Sequence, residues 1–190
     1  MSGYPFFQQC LVSEKAAGTL LNTYTTAKSV INATELYTLP AGILQAGSKL
    51  RVKVRGGISN IVTTPGTITF QVMMGTIVAY TSGAVQLNAT AHTTLPFSLD
   101  IDLSVRTIGS GTGAAIMGMG ALSGRMFTDT AAQVDSVNTE GAFQVPATAP
   151  ANGTGFDSTI ANILDFWAGF SISNAGNGIQ IQQYSVEQLA

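Results

Sequence analysis

The chain has 190 residues, 45% of them hydrophobic and only 9% charged, with a formal net charge of −2. Average soluble domains carry about 25% charged residues, so polarity is supplied instead by 23 Thr and 15 Ser, helped by Asn and Gln. With no basic tail, no acidic run and no 18-residue apolar segment, nucleic-acid neutralisation and a membrane-spanning helix are excluded as its task.

The start, Met1-Ser2-Gly3-Tyr4-Pro5-Phe6-Phe7, lacks the basic opening and continuous apolar run of a signal peptide. The expectation is a protein folded in the cytoplasm where it is made. Residues 1–8 read as an N-terminal arm, with Tyr4, Phe6 and Phe7 packing on the domain itself or on a partner. The sequence leaves both open. Cys10, the single cysteine, cannot bridge internally, so stability must come from packing. Residues 9–13, 19–26 and 28–37 read as early strands rich in β-branched residues. Leu39-Pro40-Ala41-Gly42 and Ala46-Gly47 punctuate them as turns.

Lys49-Leu50-Arg51-Val52-Lys53-Val54-Arg55 alternates, with Leu50, Val52 and Val54 inward and four of the eight basic residues outward. A basic stripe of this kind either meets an anionic partner or pairs across strands with Asp100 and Asp102. The pairing reading is preferred. Gly56-Gly57 is expected to end this strand, and Pro65-Gly66 to form the next turn. Thr67–Met74 alternates with Ile68, Phe70, Val72 and Met74 inward, then Gly75 leads into a hairpin partner or bulged continuation over 76–80. Residues 82–94 read as a loop.

The clearest signal follows. Apolar residues stand at Phe97, Leu99, Ile101, Leu103 and Val105, with Ser, Asp, Asp and Ser between them. Period two sends them to one face of a long antiparallel strand whose other face is wet. Gly109–Gly113 then turns into Ala114–Ser123, where small and larger residues alternate as on a strand closely approached by neighbours. Residues 126–160 show no sustained period and read as a long loop carrying contacts outside the core. Leu164, Phe166, Ala168, Phe170 and Ile172 alternate inward, and Asn174–Gly178 is expected to close a hairpin with 178–184.

These elements predict an all-β fold. It is an antiparallel β-sandwich, a jelly roll of about eight strands in two sheets, forming a single domain over 9–190 with the long loop near 126–160 inserted. A chain of this length buries roughly 70% of its unfolded surface, enough for such a core.

Catalytic patterns fail one by one. His92 is the only histidine, and no Gly-x-Ser-x-Gly elbow accompanies it. One His and one Cys do not make a zinc site, and Asp129, Asp135 and Asp157 lack calcium-loop spacing. Gly109-Ser110-Gly111-Thr112-Gly113 has no following Lys-Ser/Thr pair and leads into a strand, so it is not a phosphate loop. Asp100 and Asp102 lie on an exposed strand face rather than in a groove. The sequons at Asn32, Asn88 and Asn152 carry no weight without a secretory signal. The reading is a non-enzyme with no catalytic residue, cofactor or metal.

Two runs resemble a known family. Leu39-Pro40-Ala41-Gly42-Ile43-Leu44-Gln45-Ala46-Gly47-Ser48-Lys49-Leu50-Arg51-Val52 with Gly66-Thr67-Ile68-Thr69-Phe70, and Leu95-Pro96-Phe97 through Val105-Arg106-Thr107-Ile108-Gly109, resemble jelly-roll head-decoration (cement) proteins of tailed bacteriophages. The likeness covers roughly residues 36–125. It implies a virion protein on the capsid surface, partnered with the major capsid protein and with itself as a homotrimer, stabilising the head. Candidate partner contacts are Tyr4, Phe6, Phe7, Arg51, Lys53 and Arg55. The alternative is a carbohydrate- or receptor-binding module of a phage fibre or tail. Trp167 and Tyr184, out of phase with the inward residues of their strands, would then stack on sugars unless they cover each other across the expected hairpin.

Overall fold

The structure, a computed structural model, describes residues 8–61, 64–128, 142–146 and 148–189. Tyr4, Phe6, Phe7, Asp129 and Asp135 therefore lie outside the described residues. Among the described residues thirteen strands follow in chain order: β1 (Gln8–Ser13), β2 (Leu21–Asn22), β3 (Lys28–Ser29), β4 (Tyr37–Leu39), β5 (Lys49–Asn60), β6 (Thr67–Met74), β7 (Ile77–Leu87), β8 (His92–Thr107), β9 (Ala115–Gly124), β10 (Phe127–Thr128), β11 (Ala142–Val145), β12 (Asn162–Phe170) and β13 (Gly178–Leu189).

One sheet runs β1-β13-β5-β8-β9-β11, with β2 also on β13; the other runs β10-β7-β6-β12-β3, with β4 also on β12. Every strand pair is antiparallel. Taking β3 and β4 as two pieces of one strand, the central strands lie in the order first-eighth-third-sixth facing fifth-fourth-seventh-second. That is the jelly roll, two interlocked Greek keys. Strands β9, β10 and β11 widen it beyond eight strands.

Long alternating segments behave as their period dictates. In β8, Phe97, Leu99, Ile101, Leu103 and Val105 are buried. Leu50, Val52 and Val54 of β5 are buried beside them in the same sheet, and Ile68, Phe70, Val72 and Met74 of β6 are buried in the facing sheet. Between the sheets Phe70 stacks on Phe97 (centroids 5.7 Å, planes 25° apart) and on Phe166 (5.9 Å, 18°). Phe166 in turn meets Tyr184 at 6.5 Å. Gly118 of β9 stands on a crowded strand, as the small residues there predict: a Cβ would strike the Tyr80 ring and, at 2.8 Å, Leu103.

Several expectations are corrected. The segments at 19–26 and 28–37 are not full strands. Asn32 Oδ1 accepts from Thr34 N (3.1 Å) and Thr34 Oγ1 (3.0 Å), capping a 3-10 turn over Ala33–Glu35. That local bonding competes with the ladder. Strand β5 does not stop at Gly56-Gly57 but runs on to Asn60. Residues 82–94 are mostly strand as well: buried Ser82 accepts from Phe70 N (2.9 Å) and holds a bulge at Gly83 inside β7. In 126–160 some described residues pack inward, Phe127, Val145 and Phe156 among them, while 148–152 and Ile160 stay exposed. Phe156 exchanges two backbone bonds with Ala114, each 3.0 Å.

The expected Asn-Gly hairpin is absent, because β12 and β13 belong to different sheets. Asn177 is instead fully buried. Its amide nitrogen donates to Pro65 O and Ile172 O (both 3.1 Å), and its Oδ1 accepts from Ile61 N (3.0 Å). It fastens the crossover to the neighbouring loop. A hairpin asparagine is replaceable by glycine, whereas this one is not: we expect Asn177→Gly to cost about 3 kcal/mol, because three backbone groups lose their partner. Urea unfolding of the variant beside Asn174→Gly, at an exposed position, checks this.

Candidate functional site

The face with the most chemistry is the outer side of the sheet formed by β5, β8, β9 and β13. The alternation that buries Leu50, Val52 and Val54 turns Arg51, Lys53 and Arg55 outward, opposite Asp100 and Asp102. Arg51 Nε donates to Asp102 Oδ1 at 2.7 Å, and its Nη2 reaches Oδ2 at 3.2 Å. Arg55 Nη1 and Nη2 take Asp100 at 2.6 and 3.1 Å, and Nη1 also donates to Val54 O at 2.9 Å. Lys53 Nζ donates to Glu187 Oε1 at 2.9 Å, and Gln8 Nε2 to Glu187 Oε2 at 2.6 Å. The Asp102 carboxylate holds the Arg51 guanidinium above its ordinary value. The cross-strand pairing read from sequence is thus present, with Glu187 as a partner that the reading missed. These pairs, partly exposed, contribute under about 1 kcal/mol each and offset one another's charge on a face that is otherwise neutral.

Three depressions adjoin on this face. The largest, about 710 Å³, lies between Arg55, Gly56, Pro96, Ser98, Ser123 and Gln183. A second, about 290 Å³, shares Arg55 and Gln183 and reaches Glu14 and Tyr184. A third, about 320 Å³, lies over Arg51, Lys53, Asp100, Asp102 and Met119. The large one owes its shape to a bulge. Pairing between β13 and β5 slips between Ile181 and Gln183, so Gln182 and Gln183 are both exposed and the alternation resumes with Tyr184 inward.

That slip corrects the placement of Tyr184, which is 2% exposed and part of the core. It does not cover Trp167, which stands on the other sheet. Trp167 Nε1 donates to Asp165 Oδ2 (2.6 Å), while Ser29 Oγ and Phe166 N donate to Oδ1 (2.8 and 2.7 Å). Burial pushes the Asp165 carboxyl above its ordinary value, and these hydrogen bonds pull it back only in part. The run Ile-Gln-Ile-Gln-Gln-Tyr carried the missed signal: two adjacent glutamines interrupt the alternation.

One end of the sandwich carries a second feature. Gly42 N donates to Ser158 O (2.9 Å), and Ser158 N to Gly109 O (3.0 Å), joining three loops. Asp157 firms the junction by accepting from Gly111 N (2.8 Å) and from Thr159 N and Oγ1 (2.8 and 2.6 Å). These bonds hold its carboxyl below the usual range. Within two residues of the junction stand Ile43, Ile108 and Ile160, at 37%, 50% and 55% exposure. Gln8, where the described chain begins, is in register with Leu189, Lys49 and Ser104 at this same end.

His92 begins β8, its backbone N donating to Asn60 Oδ1 (2.9 Å). Among the described residues no group of three His, Cys, Asp or Glu is placed to hold a metal ion.

No family profile and no curated protein matches the chain. Among solved structures it is similar to the CBM2 module of the evolved Dit of Lactobacillus casei BL23 phage J-1, at 12% identity and a TM-score of 0.34, over 97% of each chain. It is also similar to SO2946, a protein of unknown function from Shewanella oneidensis MR-1, at 12% identity and a TM-score of 0.36, over 96% of this chain and 79% of that one.

Glu14, beside the second depression, yields a pH prediction. Its Oε1 accepts from Asn32 N (3.4 Å), while Oε2 is buried without a partner among the described residues. Burial raises its pKa, the Asn32 amide lowers it and nearby Glu35 raises it again, for a net rise. The folded state therefore holds this proton more tightly than the unfolded state, and stability falls as pH climbs from the unfolded pKa through the raised one. Glu14→Gln keeps the acceptor and removes the charge. Melting curves are expected to coincide with wild type near pH 4 and to favour the variant increasingly towards neutrality; a constant offset at all pH values would contradict this.

Proposed function

We propose that the chain is a virion structural protein that docks on the outer capsid surface and stabilises the head, acting as a trimer. The observation that carries this reading is the trio Ile43, Ile108 and Ile160, exposed on loops that backbone bonds already hold in place. Rigid loops lose little entropy on docking, and apolar side chains grouped at a tip mark a contact surface. The segment bearing Tyr4, Phe6 and Phe7 is joined to the fold at this end through Gln8, which puts its attachment point beside the trio. Each contact is modest; three copies engaging at once gain avidity. Arg51, Lys53 and Arg55 suit the role less, because each is already ion-paired within the chain.

The reading is tested with capsids stripped of surface proteins. Purified chain is expected to bind stoichiometrically and to raise the temperature at which the capsids disrupt. Ile108→Asp with Ile160→Asp is expected to abolish binding while moving the chain's own stability by less than about 0.5 kcal/mol, as exposed positions allow. Binding that survives the double change would move the docking surface elsewhere. A carbohydrate- or receptor-binding module of a fibre or tail remains the other reading, and its site cannot be Tyr184, which is buried.

A further inference from the structure

We infer that the 710 Å³ depression on the outer sheet face is a binding site for a surface oligosaccharide. This gives the carbohydrate reading a site, and it rests on residues separate from the capsid-docking end. Phe97 pairs with Gly56 on one side and Gly124 on the other, so both neighbouring strands lack a side chain there. A Cβ on Gly56 would collide with Gln180 O, and one on Gly124 would come within 3.0 Å of Phe97 Cβ. Those collisions lie on the core side with Phe97; on the outer side the depression is bounded by Arg55, Ser98 and Ser123, and the bulge sets Gln182 and Gln183 together on its rim.

Chemistry then narrows the ligand. Arg55 lines the hollow, but its guanidinium is held bidentately by Asp100 and donates again to Val54 O. Its charge is committed, so a phosphate finds no free cation here. What remains is neutral: the Gln183 amide, which has no partner among the described residues, the side-chain oxygen of Gln182 (its Nε2 donates to Gln180 Oε1 at 3.0 Å) and the Ser98–Ser123 hydroxyl pair (2.5 Å). Exposed Pro96 adds an apolar surface among them. Donors and acceptors without net charge, set around an apolar patch, match a pyranose ring, which has hydroxyls at its edge and C–H bonds on its face. Amides also bond vicinal hydroxyls in pairs. The volume falls in the range of about 300–1,000 Å³ typical of ligand sites.

Position supports the assignment. Phe97 and Val105 are eight residues apart on β8, roughly 26 Å at about 3.3 Å per residue, and the isoleucine junction lies beyond Val105. A chain docked by that end therefore keeps the hollow free.

The test uses the full chain, isotope-labelled, titrated with maltotriose, cellotriose and chitotriose and screened on an array of bacterial surface polysaccharides. At least one glycan is expected to give saturable shifts centred on the Gln182 and Gln183 amides. Gln182→Ala with Gln183→Ala is expected to weaken binding about tenfold, as loss of two hydrogen bonds implies. The spectrum itself reports that the variant is folded. Silence with all three trisaccharides and on the array overturns the proposal, as does binding that the double variant leaves unchanged, or shifts of the same amides by inorganic phosphate. Capsid docking is read separately: it is expected to persist in the glutamine variant, and glycan binding to persist in Ile108→Asp/Ile160→Asp.

Discussion

Phe70 lies between Phe97 and Phe166, and Phe127 meets both Phe70 and Phe97 edge-on at 6.2 and 5.9 Å. This cluster ties together five strands of both sheets: β6, β8, β10, β12 and, through Tyr184, β13. Each such ring contributes about 3–5 kcal/mol when judged by truncation to alanine. With no disulfide available, since Cys10 is free, the sheets are held by this contact and the aliphatic rows around it. It also sets the geometry of everything outside. A ring directed inward at Phe97 requires Ser98, Asp100 and Asp102 to face outward, which fixes where Arg51 and Arg55 find their partners.

The outer face follows from that constraint rather than from its own energetics. The ion pairs are half exposed and weak, yet a one-residue slip of β5 against β8 would drive Lys and Arg into the aromatic layer. Register is therefore enforced from within and reported on the surface. Pairing in this sheet slips at several places, and the slip between Ile181 and Gln183 borders the largest of the three depressions. A bulge there lets Ile181 and Tyr184 both point inward although they are three apart, at the cost of turning two glutamines out.

What was legible in the sequence was the part governed by unbroken alternation: β5, β6, β8 and β9, and the pairing of basic with acidic strands. Misreadings arose where a local rule yielded to a tertiary one. Asn177-Gly178 matches a hairpin turn, yet the neighbouring strands bury different faces, and Asn177 is worth more as a buried fastener than as a turn. Ser82-Gly83 looks like a loop until Ser82 is seen to satisfy Phe70 N. Period two carried unbroken through 178–184 would turn Tyr184 outward, whereas the bulge turns it into the core. The stretch at 126–160 has no period of its own because its buried residues, Phe127, Val145 and Phe156, are separate short contacts rather than one strand. The isoleucine junction is invisible in the sequence for a related reason: Ile43, Ile108 and Ile160 are more than fifty residues apart in the chain, and loop-to-loop hydrogen bonds join their loops.

The two surfaces divide the molecule by chemistry as well as by distance. At the loop junction the exposed groups are aliphatic and held by backbone bonds, which suits a dry protein contact that forms once and stays. Around the bulge the exposed groups are amides and hydroxyls on a shallow, open surface, which suits a ligand exchanged in water. Antiparallel strands make such a division natural, because every long strand runs from one end of the sandwich to the other and loops at opposite ends vary independently. Low surface charge serves both ends at once. It leaves little repulsion between protein surfaces at the one, and at the other it leaves hydrogen bonding rather than ion pairing as the polar contact on offer.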